Sequence, residues 1–347
     1  MHRVIGERSL SETPFDETTA RELFAEMVRA RAFDERALAL QRRGWMAGYP
    51  PFAGGEATQI AAARAMAEED WLFPTYRANA MQITRGVPMS DVLAFRRGHD
   101  EFSSEHDVAN FPQAVPIATQ LPHAVGTAMA MDYRGDDSAA VAYFGDGATS
   151  EGDFHEALNF AGVHDAPCVF LCENNGWAIS LPRSEQTAAD SIAIKAEAYG
   201  FEGRQVDGMD PLAVLEIMTD ALAAARDGNP VLVETLTYRL GPHTTSDDPS
   251  VYEERADFPD WRTEDPLDRY ETYLLDQRVI DGATRSEIET KAASELDDAV
   301  ERAESLSEPP LDELFEHVYA ESTPRQREQQ TWLDSHAERY GIDGVER

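Results

Sequence analysis

The chain has 347 residues, enough for one large domain or two smaller ones with a sizeable core, and its 42% hydrophobic fraction is ordinary for a globular protein. Its 65 acids stand against 30 bases, a net charge of −35 spread along the chain with no basic stripe to neutralise phosphates, which argues against nucleic acid as a partner. No run reaches the roughly 18 apolar residues of a membrane span, and MHRVIGERSLSETPFDE has no apolar leader segment, so no membrane association and a cytoplasmic location are expected.

Only Lys195 and Lys291 among the bases are lysine. An acidic, lysine-poor surface suits a cytosol at molar salt, where repulsion is screened over about 3 Å, and a halophilic source is the reading; an acidic protein of ordinary salt is the alternative.

In chain order, residues 18–43 carry Leu23, Met27, Ala30, Phe33 and Leu38 near helical spacing, which predicts a long helix. The stretch GWMAGYPPFAGGEA breaks it with glycine and proline, and an alanine-rich helix follows over about 56–67. A polar loop is expected at 98–115, where His99, His106 and several acids show no regular metal-ligand spacing. Then the pattern alternates: strand 139–144, helix 151–162, strand 167–174, helix 189–199, a short strand in RQVDG, helix 210–226 and strand 230–238. Strands that are apolar throughout, alternating with helices, predict an α/β fold with a parallel sheet covered on both faces. From about 265 the chain is charged and helical. The expected division is an N-terminal helical segment (1–48), an α/β domain (49–260) and a helical C-terminal extension (261–347).

Cys168 and Cys172 lie four apart in the predicted strand PCVFLCEN. At about 3.3 Å per residue their backbones stand roughly 13 Å apart, too far for a disulfide, so both read as small buried apolar residues.

The chemistry is concentrated in GDGATSEGDFHEALNFAGVHDAPCVFLCENNGW, residues 145–177. In a parallel sheet, ligands bind beyond the carboxyl ends of the strands. Gly145, Asp146 and Gly147 stand there after AAVAYF, and the helix beginning near 151 aims its free N–H groups at the same place. An anion belongs at such a point, yet Asp146 adds a negative charge. A divalent cation resolves the conflict. Asn174 and Asn175 leave the next strand at the same sheet edge, and a carboxylate, an amide oxygen and a backbone carbonyl are hard donors suited to Mg²⁺. The stretch therefore reads as a holder of a magnesium diphosphate.

Alone, GDG is a common turn and NN is weaker still; at the ends of consecutive parallel strands and at this spacing they resemble the thiamine diphosphate fingerprint. YPPFAGGEATQ, FPTYRAN, PIATQLPHAVG, QVDGMDP and RLGPHTTSDDP complete an order similar to that of the alpha subunits of two-component 2-oxo acid dehydrogenases, over roughly residues 15–320. The resemblance implies the thiamin-diphosphate-binding fold, decarboxylation of a 2-oxo acid and acylation of a lipoyl group. It implies thiamine diphosphate and Mg²⁺ as cofactors, a beta subunit in an alpha2–beta2 heterotetramer, and a lipoyl acyltransferase component as partner.

Carried over, the metal ligands are Asp146, the Asn175 side chain and the Trp177 carbonyl. Tyr76 and Arg77 match the family's Tyr-Arg pair, with Arg77 on the diphosphate. Val115 and Ile117 match the positions whose backbone holds the aminopyrimidine, Gly147 and Ala148 line the diphosphate, and His243 sits beside the phosphates and the reaction centre as the catalytic candidate. His123, His155 and His164 are read as structural. Pro50 replaces a histidine found in several members. Glu173 is the residue of pyruvate enzymes, whereas PIATQLP is closer to the branched-chain type. Substrate choice thus stays open between pyruvate and branched-chain 2-oxo acids. An acetoin-cleaving homologue is the enzymatic alternative, and a non-catalytic scaffold subunit is the alternative of another class.

Overall fold

In the computed structural model, which describes residues 1–104, 106–113, 115–307 and 310–341, the four expected strands form, and a short strand at 71–73 and a small hairpin join them unpredicted. In chain order they are β1 (Trp71–Phe73), β2 (Ala140–Gly145), β3 (Cys168–Asn174), a small hairpin of β4 (Trp177–Ala178) and β5 (Leu181–Pro182), β6 (Glu202–Asp207) and β7 (Val231–Leu236). Five of them make one wholly parallel sheet in the order β1-β2-β3-β7-β6. The chain steps β1 to β2 to β3, jumps to the far edge at β6 and returns to β7 beside β3. Order therefore reverses between β3 and β7, and in open parallel sheets the ligand crevice lies at such a reversal, beyond the carboxyl ends. Every residue of β3 is buried, as are the first five of β2 and of β7, because helices cover both faces.

The helices are α1 (Glu17–Arg42), α2 (Glu56–Ala65), α3 (Asn79–Arg85), α4 (Met89–Phe95), α5 (Gln120–Arg134), α6 (Gly152–Val163), α7 (Arg183–Gln186), α8 (Pro211–Arg226), α9 (Asp260–Thr263), α10 (Pro266–Asp276), α11 (Thr284–Ser305), α12 (Glu313–Glu316) and α13 (Pro324–Tyr340). Local chemistry sets their starts. Asp16 caps α1 through Thr19 N, and Asp210 caps α8 through Ala213 N, with Pro211 in the first turn where no N–H is needed. The apolar stripe of α1 buries Leu23, Phe24, Met27, Val28 and Phe33, and the buried Tyr270 of α10 donates to the Ala20 carbonyl across it. One face of the sheet packs Phe144, Phe170 and Leu232 with Leu121, Val125, Phe154 and Leu158 of α5 and α6.

Two local expectations fail for identifiable reasons. Residues 189–199 form only a short 3₁₀ stretch, Ala193–Tyr199, instead of a full helix. The buried Glu234 carboxylate of β7 takes the Ile192 and Ala193 N–H groups at 3.0 and 3.1 Å, pinning the segment to the sheet. Helix α5 went unpredicted because Pro122 and Gly126 obscure its period; the proline lies in the first turn and Gly135 closes the helix in the left-handed conformation. Cys168 and Cys172 are buried free thiols.

The chain forms two compact units, Met1–Ala303 and Glu304–Arg347. The second holds α12 and α13, the latter started by a capping box between Thr323 and Gln326. Among the described residues no helix is long and apolar enough to cross a membrane.

Candidate active site

A cavity of about 250 Å³ lies at the carboxyl ends of β1, β2, β3 and β7, and its wall includes Tyr76, Arg77, Ile117, Asp146, Gly147, Ala148, Asn175, Trp177 and His243. Nine of the expected residues therefore meet in one place. Val115 does not line it: its side chain is 59% exposed. The turn that follows it carries Ile117 and Ala118 into the wall instead, with Ala118 at φ 68.

Asp146 is the most unusual group in the wall. It is 1% exposed, and neither carboxylate oxygen has a hydrogen-bond partner. Burial pushes its carboxyl up to about 7, opposed by nearby N–H groups and by the charges of Arg262 and Arg239. An unpaired buried carboxylate is costly and calls for a cation. The adjacent asparagines divide their work. Asn174 spends its amide on structure, donating to Glu234 at 2.6 Å and accepting from Gly176 N at 2.9 Å. Asn175 faces the cavity, and its oxygen accepts only Trp177 N, at 3.1 Å, which leaves one lone pair for a ligand.

Guanidinium groups surround this acid. Arg77, 8% exposed, donates to the Pro51 carbonyl and, at 2.9 Å, to the His243 carbonyl, with the His243 ring Nδ1 at 3.2 Å. The loop it reaches is preorganised by the buried Asp34, which accepts from Tyr49 Oη, Phe52 N and Ala53 N. His243 N donates to Asp247 at 2.6 Å, and Asp247 also accepts from Tyr252, whose ring lies 5.1 Å from Trp177. Burial, then Arg77 and Arg239, push the His243 imidazole down to about 4, so it is neutral near pH 7. Arg77 in the wall, with the charges of Arg239 and Arg262 acting on Asp146, offers guanidinium for an anion bound together with a cation.

A family model described as "Dehydrogenase E1 component" matches residues 25–312. The chain belongs to that family. It is 48% identical over 324 residues to a 3-methyl-2-oxobutanoate dehydrogenase subunit alpha of Mycobacterium tuberculosis, covering 90% of this chain and 87% of the relative. It is 38% identical over 312 residues to pyruvate dehydrogenase E1 component subunit alpha chains of Staphylococcus aureus and Staphylococcus epidermidis, covering 89% of this chain and 84% of each relative.

Several wall residues of this E1 chain escaped the sequence reading. Tyr143 hides in an apolar strand run, and Glu173 was read only as a clue to substrate, yet the Tyr143 hydroxyl donates to the Glu173 carboxylate inside the wall, and burial raises both groups. A carboxylate and a tyrosine within otherwise apolar strands were the available signal. Ile179 also lines the cavity, at φ 60 in the two-residue turn between β4 and β5. A β-branched residue in the left-handed region is strained, and such strain clusters at functional sites. No sequence pattern marks it, because glycine or asparagine is the residue such a turn normally takes.

Proposed function

We propose that this chain is the alpha subunit of a 2-oxo acid dehydrogenase E1 component, binding thiamine diphosphate through Mg²⁺ and completing its active site with a beta subunit. The observation that carries the reading is Asp146, buried with both oxygens unpartnered among Arg77, Arg239 and Arg262. The residues present fit the group. Among the described residues no trio of His, Cys, Asp and Glu is gathered for a metal, which argues against a soft or imidazole-bound ion. The donors on offer are the Asp146 carboxylate, the Asn175 amide oxygen and the Trp177 carbonyl, the hard set that Mg²⁺ takes alongside phosphate oxygens.

In this assignment Arg77 clamps the diphosphate and sets the His243 backbone, while Gly147 and Ala148 bring main chain close to it. Ile117 would border the aminopyrimidine, and Val115, whose side chain is exposed, would contribute backbone only. Neutral His243 is free to accept or give a proton near the reacting carbon. The cofactor supplies the electron sink that lets carbon dioxide leave a 2-oxo acid. Tyr76 and Ile179 restrict water and fix the approach. Higher identity to the mycobacterial 3-methyl-2-oxobutanoate chain than to the staphylococcal pyruvate chains favours a branched-chain substrate. The acyl group passes to a lipoyl group on an acyltransferase component, and the working assembly is alpha2–beta2 in the cytoplasm. The acidic surface suits high salt, so lowering KCl should lower the thermal midpoint of the complex.

Co-expression with the beta partner tests the whole reading. A panel of pyruvate, branched-chain 2-oxo acids and acetoin, with an artificial electron acceptor, should give Mg²⁺- and thiamine-diphosphate-dependent turnover, highest with 3-methyl-2-oxobutanoate. A rigorously beta-free preparation should give none. Turnover by the lone chain, or preference for acetoin, would overturn it.

A further inference from the structure

Arg262 lies on α9, outside every motif that marks the site. Its Nε donates to the Thr237 carbonyl and its Nη2 to the Asn174 carbonyl, both at 2.8 Å. Those carbonyls close β7 and β3, the two strands between which the order of the sheet reverses. Beyond one runs the loop to His243; beyond the other, Asn175, Gly176 and Trp177. The Asn174 carbonyl also receives Thr237 N at 2.9 Å, so one oxygen anchors both strand ends and the guanidinium.

The turn is shaped to admit this group. Gly176 has φ +91, and a Cβ there would come within 3.2 Å of Phe258 and 3.8 Å of the Arg262 Nη2. Phe258 in turn lies under the guanidinium, 4.9 Å from its carbon to the ring centre. Among the described residues no carboxylate lies within ion-pair distance of Arg262, although the chain has 35 surplus acids. A half-buried guanidinium with no carboxylate within ion-pair distance, its donors aimed at two main-chain carbonyls, serves geometry. The same placement sets a positive charge near Asp146, where a cation is to bind. By charge alone Arg262 therefore opposes the metal.

The geometry points to Arg262 as a positioning residue that holds the Asn175 amide and the Trp177 carbonyl in register for the cation by tying the carboxyl ends of β3 and β7 together. This inference rests on the Mg²⁺–thiamine diphosphate assignment above. Positioning and charge make opposite predictions when Arg262 is replaced. With titrations run well above pH 7, so that Asp146 is ionised throughout, loss of the positive charge by itself should tighten Mg²⁺ binding; loss of the two-carbonyl fork should loosen it.

The test is calorimetric titration of Mg²⁺ into the assembled alpha–beta complex at saturating thiamine diphosphate, for the parent, Arg262→Gln and Arg262→Lys. Both variants should bind Mg²⁺ about tenfold more weakly, the scale of other groups that orient ligands from behind. Glutamine does so against the direction of its charge change, and lysine does so with the charge retained but the planar fork gone. Unchanged or tighter binding by Arg262→Gln overturns the proposal. If that variant fails to assemble by circular dichroism and sedimentation, Arg262→Lys decides, and parent-like affinity there overturns it. Failure of the underlying assignment is separate: the parent complex itself would then bind thiamine diphosphate without needing Mg²⁺.

Discussion

At the carboxyl ends of β2, β3 and β7 the chain buries Asp146 without a partner and surrounds it with Arg77, Arg239 and Arg262. At the amino ends of β3, β6 and β7 the same sheet closes on glycines, with Asp165, Glu197 and Glu202 left exposed to water around a shallow groove. The glycines there serve packing: a Cβ on Gly203 would stand 1.8 Å from the Ala193 carbonyl oxygen. The same sheet thus ends once in a buried, unpartnered carboxylate, at Asp146, and once in close-packed backbone with solvated acids. A carboxylate buried in a cavity wall with both oxygens unpaired signals a missing cation; acids left in water signal nothing beyond solubility.

The strongest test of this contrast is Asp146→Ala. Thiamine diphosphate affinity of the complex in Mg²⁺ should fall by at least about 100-fold, more than for groups that only orient ligands. The cofactor-free protein should gain thermal stability, because an uncompensated buried carboxylate has been removed. Calorimetry and a thermal scan check both, and a variant that binds normally breaks the contrast outright.

Gly203→Ala at the opposite end should behave in reverse. Overpacking against the Ala193 carbonyl should destabilise by about 1–3 kcal/mol, seen as a lower thermal midpoint with and without cofactor, while cofactor affinity holds within about threefold. Loss of affinity without loss of stability would erase the distinction between the two ends.

A smaller effect is expected from pH. His243 is depressed from its usual 6.5 to about 4 by burial and by Arg77 and Arg239, so its contribution is present above about 6.5 and is lost as pH falls through about 4. Proteolysis within 239–258 should therefore quicken between pH 6.5 and 4 in the cofactor-free complex. His243→Gln should flatten that part of the dependence, and an unaltered slope would mean that another group governs the loop.

The smallest effect belongs to the lower groove. Glu197→Gln, an exposed acid there, should move neither stability by more than about 0.5 kcal/mol nor cofactor affinity by more than about twofold. A larger shift in binding would mean that the lower end is a site as well.

Much of the upper end was legible from residue order. Asp146 between glycines, Asn175 after the next strand, the Tyr76-Arg77 pair and His243 follow strands whose apolar runs announce a parallel sheet, and a parallel sheet carries its loops of consequence to one edge. The paired asparagines looked equivalent in sequence. The family resemblance singled out Asn175, and the fold supplies the physical reason: Glu234 on β7 takes the amide of Asn174 and not of the residue after it. Val115 and Ile117, two residues apart on an irregular turn, parted for a similar reason: loop geometry has no period from which exposure can be read.

What the sequence determined by itself was the central strands of a parallel sheet and a turn suited to a magnesium diphosphate, since apolar runs and the spacing of charged turns are local and survive without neighbours; the family came from the resemblance of its motifs. What the tertiary structure decided was which groups go unpartnered and which are braced. The 3₁₀ stretch at Ala193–Tyr199 exists because the Glu234 carboxylate, 41 residues beyond Ala193, seizes the N–H groups of Ile192 and Ala193 where it starts. Ile179 holds φ 60 because the hairpin and the cavity wall confine it. Arg262 matters because α9 returns it to two strand ends far away in sequence. Such contacts join residues with no short-range relation, and their energies depend on burial, which arises only when the chain has closed on itself.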